Sequence, residues 1–118
     1  MMEGKNAVLG VELGSTRIKA TLVDGAFRPV ASGDYTWQSR LENGVWTYPL
    51  EEAWAGFRAA LEALKKEAGE LAPEAMGISA MMHGYLAFDR DWNLLTPFRT
   101  WQNTMTGAAA EALTAAFG

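Results

Sequence analysis

The segment from Ala7 to Asp24 constrains the chain most: an apolar run reaching Leu13, a Gly14-Ser15-Thr16 turn, then Ile18, Ala20 and Leu22 alternating with Lys19, Thr21 and Val23. A period of two puts successive side chains on opposite faces, so the segment predicts two strands joined by a tight turn. Small residues at such a turn expose main-chain N–H groups beside the hydroxyls of Ser15 and Thr16, which together form an anion cradle. A nucleotide phosphate is the first ligand this predicts. Strand alternation also puts Arg17 and Lys19 on one face, where they either meet an anion or coat a solvated surface.

Downstream, Asp24-Gly25 signals a turn, and the alternation from Pro29 to Trp37 predicts a third, antiparallel strand. Arg40 to Tyr48 is polar and turn-rich. Leu50, Ala53, Trp54, Phe57, Leu61, Leu64 and Ala68 recur at helical spacing, so this stripe is the expected core face of a helix and Trp54 an expected core residue. Pro49, the acidic pair Glu51-Glu52, the basic pair Lys65-Lys66 and Gly69 fit its start, polarity and stop. Ala75 to Ala80 reads as a buried strand with Tyr85 to Asp89 as its hairpin or neighbour partner. Asp91-Trp92-Asn93 reads as a surface turn leading to Leu94-Leu95. Thr106 is placed to cap a last helix carrying Ala109, Ala110, Leu113 and Phe117. Strands, helix, strand, helix predict an α/β layer on a mixed sheet whose first three strands are antiparallel.

At 118 residues, 49% of them hydrophobic, the chain is long enough for one domain with a core. A net charge of -4 with scattered Lys and Arg argues against nucleic acid as a partner. No apolar run approaches the roughly 20 residues of a membrane helix, and Met1 to Asn6 has no secretory apolar region, so no membrane partner and a cytoplasmic location are expected. Without cysteine, and with one histidine, neither disulfides nor a zinc site are expected. Any metal should be a hard cation such as Mg²⁺, held by carboxylate, phosphate and water.

Val11-Glu12-Leu13-Gly14-Ser15-Thr16, with Lys19 and Asp24, resembles the first phosphate motif of the actin, heat-shock-chaperone and sugar-kinase superfamily, whose pattern is Asp-x-Gly-Thr. The run from Gly77 through Met82-His83-Gly84, then Asp89, Pro97 and Trp101-Gln102-Asn103, is similar in order and spacing to the FGGY carbohydrate kinases, particularly the xylulokinase-like members. Gly44 to Pro49, with Trp54, resembles the segment that leads into their first helix. This likeness implies a ribonuclease H-like, actin-like ATPase fold. Residues 1–118 would be the N-terminal part of the first, sugar-binding domain of an enzyme several times longer, whose two such domains flank a cleft.

The same likeness implies transfer of the γ-phosphoryl group of MgATP to a hydroxyl of a ketose or related polyol. Gly14, Ser15, Thr16 and Arg17 would hold phosphate, and Glu12 would organise Mg²⁺ through water. Glu12 stands where the family has Asp, an extra methylene that changes direct metal geometry more than water-mediated coordination. Met82, His83, Gly84, Trp101, Gln102 and Asn103 would bind the sugar: imidazole and amides read hydroxyls, Gly84 lets substrate near the backbone, and the indole packs on C–H patches. Asn103 replaces the acid of the family's Trp-Asn-Asp pattern. The catalytic base, second phosphate motif and adenosine pocket would lie past Gly118, so this chain alone should not turn over; a homodimer is compatible with the pattern. Two other readings share parts of it: a non-catalytic actin-like nucleotide-dependent module, and a stand-alone sugar-binding domain.

Overall fold

A computed structural model describes residues 6–118. In chain order the elements are β1 (Val8–Leu13), β2 (Arg17–Val23), β3 (Pro29–Thr36), β4 (Arg40–Glu42), β5 (Val45–Thr47), α1 (Leu50–Ala68), β6 (Ala75–Ala80) and α2 (Gly107–Phe117). They fall into two compact units, one of residues 6–39 and 49–82, the other of residues 40–48 and 83–118.

In the first unit the sheet runs β3-β2-β1-β6. β1 and β3 flank β2 antiparallel, whereas β6 joins β1 in parallel after the crossover through α1. The mixed sheet expected of a ribonuclease H-like fold is therefore present. Ile18, Ala20 and Leu22 of β2 are fully buried, with Leu9, Val11 and Ala31 beside them on the same face. Asp24 closes the β2–β3 connection by accepting from the N–H groups of Ala26 and Arg28 at 2.8 and 3.0 Å and from Arg28 Nε at 3.2 Å.

Helix α1 has the predicted bounds, acidic first turn and basic last turn; Gly69, at φ 66°, donates its N–H to Lys65 O. Of the expected stripe only Leu64 is buried, however: it shares the buried line with Gly56 and Ala60, and Trp54, expected in the core, is 57% exposed. Close approach explains the correction. A Cβ on Gly33 of β3 would overlap Ala60 O and stand 2.7 Å from Leu64 N, and one on Gly56 would stand 2.5 Å from the Tyr35 ring. Where helix and sheet backbones nearly touch, glycine and alanine face the sheet and larger side chains are turned aside.

β6 forms where expected but is not buried: all six residues are exposed. Among the described residues it is an end strand of its sheet, paired on one side only. Tyr85–Asp89 does not pair with it. In the second unit Tyr85 instead exchanges both main-chain hydrogen bonds with Arg99, and Phe88 bridges Leu94. The turn between them is the predicted one: Asp89 accepts from the N–H groups of Asp91 and Asn93, and Trp92 takes φ 64°. The turn-rich stretch before α1 is a hairpin, β4–β5, across Asn43-Gly44 at φ 51° and 79°. This dipeptide favours such a turn because both residues tolerate positive φ. Tyr48 packs edge-on to Phe98 at 5.5 Å between centroids, and burial pushes its phenol above the ordinary 10.0. Thr106 caps α2 without a side-chain hydrogen bond, and every residue of that helix is exposed. Among the described residues no helix is long and apolar enough to cross a membrane.

Candidate functional site

In the first unit the Gly14-Ser15-Thr16 turn is held from two directions. Gly14 donates its N–H to Arg17 O at 2.9 Å, and a Cβ on Gly14 would stand 3.1 Å from that oxygen, so the turn needs glycine. Trp37, 4% exposed, donates its indole Nε1–H to Gly14 O at 2.8 Å and its main-chain N–H to Thr16 O at 3.0 Å. Sequence reasoning gave Trp37 no role here. Its signal was register: β3 pairs Thr36 with Arg17, which sets the next residue beside the turn. Ser15 and Thr16 are exposed with the turn so fixed. Arg17, assigned to phosphate, pairs with Asp34 across the strands at 3.7 Å, both side chains about half exposed. A phosphate there would have to compete with that carboxylate.

Glu12 lies on the open face of β1, in register with Lys19 on β2 and Ser79 on β6. These residues line a hollow of about 480 Å³ together with Gly10, Thr21 and Gly77. Among the described residues no three His, Cys, Asp or Glu side chains gather to hold a metal. A single exposed carboxylate suits Mg²⁺ bound through water and phosphate oxygens, not a cation caged by protein ligands.

In the second unit His83, Tyr85, Thr96, Arg99, Trp101 and Asn103 line one hollow of about 540 Å³. Three of the predicted sugar residues, His83, Trp101 and Asn103, are thus brought together; Trp101 is 62% exposed, with its indole available. Gly84 is next to Phe98, and a Cβ on it would stand 3.0 Å from the ring, so packing already accounts for glycine there. Gln102 is engaged locally, its N–H donating to Thr100 Oγ1 at 3.2 Å. Met82 ends the first unit and is 83% exposed.

Asn103 does more than line the hollow. Its Oδ1 accepts from Trp46 N–H at 2.8 Å, while Nδ2 donates to Trp46 O at 2.8 Å and Thr100 O at 3.1 Å. An Asp would keep the first bond and lose both donations, which is a physical reason for the amide in place of the acid. Most of the hydrogen-bonding capacity expected to read sugar hydroxyls is spent on main chain. The residue that sequence reasoning missed is Arg99, whose backbone is locked to Tyr85 and whose side chain lines the same hollow.

The model of the N-terminal domain of the FGGY family of carbohydrate kinases matches residues 7–117. The chain belongs to the FGGY family. Compared with curated protein sequences, this FGGY chain has no significant match. Among solved structures it is similar to a xyloylose kinase from Brucella ovis, at 28% identity and TM-score 0.85 over 94% of the chain and 24% of that protein. It is similar as well to the xylulose kinase from Rhodospirillum rubrum, at 24% identity and TM-score 0.83 over 94% of the chain and 23% of the kinase. For the gluconate kinase from Lactobacillus acidophilus the values are 19% and 0.82, over 94% and 23%. Those at 24% and 19% speak for the fold alone. The FGGY chain spans about a quarter of the length of these kinases.

Proposed function

We propose that the chain is the sugar-side N-terminal part of an ATP-dependent kinase that phosphorylates a hydroxyl of a ketose or related polyol. The observation that carries this reading is the meeting of His83 and Trp101 in one hollow of a chain that matches the FGGY family along nearly its whole length. Trp101 would offer its indole face to the C–H side of the acceptor, and His83 would donate to one hydroxyl and accept from another. Asn103 is a positioning residue, holding Trp46 and Thr100 so that the wall carrying Trp101 keeps its shape.

At the other end of the reaction, Gly14, Ser15 and Thr16 would take the terminal phosphates of ATP, with Trp37 fixing the turn in advance. Arg17 would join them by leaving Asp34. Bound Mg²⁺ supplies charge neutralisation on the phosphates; Glu12 would orient its water ligands. ATP as phosphoryl donor fits a cytoplasmic enzyme. Met82, Gly84 and Gln102 complete the proposed acceptor side as supports of the His83 and Trp101 backbone.

The assay is ADP release with MgATP across a panel of ketoses and polyols. The 118-residue chain should give no turnover above ATP hydrolysis controls, and the protein extended to its relatives' length should turn over at least one acceptor. Robust turnover by the 118-residue chain, or none by the extended protein on any polyol, would sink the proposal.

A further inference from the structure

Arg99 is held in an unusual way for a cation. Its Nε is buried and has no hydrogen-bond partner. Its Nη2 donates to Thr96 Oγ1 at 3.1 Å, and its Nη1 points at the thioether of Met105, 2.8 Å from Sδ. Thioether sulfur is a weak acceptor, and a hydroxyl oxygen carries no charge. Among the described residues no carboxylate pairs with this guanidinium, unlike those of Arg17 and Arg28. The backbone cannot easily swing away to relieve the mismatch, because Arg99 exchanges N–H···O bonds with Tyr85 at 2.9 and 3.0 Å. A fixed, partly desolvated positive charge without a counter-ion is costly unless something anionic completes it.

What that anion is follows from the rest of the wall. The hollow of about 540 Å³ that Arg99 lines also carries the imidazole of His83, the phenol of Tyr85, the hydroxyl of Thr96 and the indole of Trp101. Hydroxyl-reading groups and an aromatic plate beside one cation suit a molecule with a carboxylate at one end and a polyhydroxylated carbon chain behind it. We infer that Arg99 is a specificity-determining residue that selects a sugar acid, an aldonate, over a neutral sugar or alditol. The carboxylate takes the Nη1 position now facing Met105, forming a charge-assisted bond that no neutral polyol can make. This inference rests on the proposed sugar site and narrows its substrate class.

Calorimetric titration of the chain with gluconate and with glucitol tests it, since the two differ only at the carbon bearing the carboxylate. Gluconate should bind about tenfold more tightly than glucitol, and added salt should narrow that difference. Arg99→Gln should abolish the preference, the larger loss falling on gluconate. Arg99→Lys, which keeps a charge if the glutamine variant folds poorly, should retain part of it because an ammonium lacks the guanidinium fork. Trp101→Ala should weaken both ligands alike. Equal binding of the two ligands by the unmodified chain overturns the inference while the sugar site stands, as does a preference that survives Arg99→Gln. Acetate binding as tightly as gluconate overturns it too, showing an anion site blind to the polyol. Binding of neither polyol ends both the inference and the sugar site on which it rests.

Discussion

Asn103 and Asp24 show how much one short polar side chain can organise. Asn103 acts as a surrogate strand residue, bonding the N–H and the C=O of Trp46 with the two ends of one amide. That the position departs from an acid is legible in the chain. Its task is not, because the partner lies 57 residues earlier and only folding brings it near. Asp24 was more readable, since its turn is local and Asx residues bond main chain a few positions on. The N–H of Arg28 foremost, then that of Ala26 and the Arg28 guanidinium, hold its carboxyl below the ordinary 3.8, against an opposing effect of burial. A carboxylate whose folded pKa lies below its unfolded one stabilises fully above the unfolded value, and that contribution is lost as pH falls through the folded one. Acid unfolding followed by circular dichroism should therefore show stability falling below about pH 4. Asp24→Asn should flatten that fall while lowering stability at pH 7. An unchanged acid limb in the variant would contradict this account.

Among the elements, α1 and β6 were recognised for the right reasons and oriented for the wrong ones. Spacing of three and four finds a helix whichever side faces the sheet, and it favours the bulkiest stripe as the core. The sheet selects the side that allows contact instead, and Gly33 opposite Ala60 is where that selection is strictest. Gly33→Ala should force α1 away from β3 and cost about 2 kcal/mol, read as a lower urea midpoint at unchanged slope. Ala59→Ser, on the same helix beside the buried line, should change little, and equal losses for both would remove the close-packing explanation. The apolar run of β6 reads as buried, yet a run without periodic contrast tells nothing about which neighbours cover it. The β4–β5 hairpin reads only as a turn-rich stretch, because strands of three residues offer too short an alternation to register.

For the molecule as a whole, the mixed sheet with its antiparallel first three strands and the family were legible because the strand hairpin and two spaced motifs are local patterns. The wall of the hollow lined by His83, Arg99 and Trp101 was legible only in part: His83 and Trp101 stand in motifs, whereas Arg99 depends on a single bridge to Tyr85 that no short-range pattern announces. Order is unevenly distributed along the chain. β2 lies between two partners and is buried on one face, while α2 exposes every residue, including Leu113 and Phe117. Native-state amide exchange should therefore find the slowest protons in β2 and the fastest helical protons in α2, with α1 between. Protection in α2 equal to that in β2 would mean that the helix is covered in solution and would contradict this account.

The outer margin of β6 carries a last consequence. Neither lysine nor proline interrupts Ala75–Ala80, so its outer main-chain groups, unpaired among the described residues, form an uncharged ledge with Met76 and Ile78 exposed beside it. Ledges of this kind invite any extended peptide to lie down as an additional strand, including the same stretch of a newly made copy.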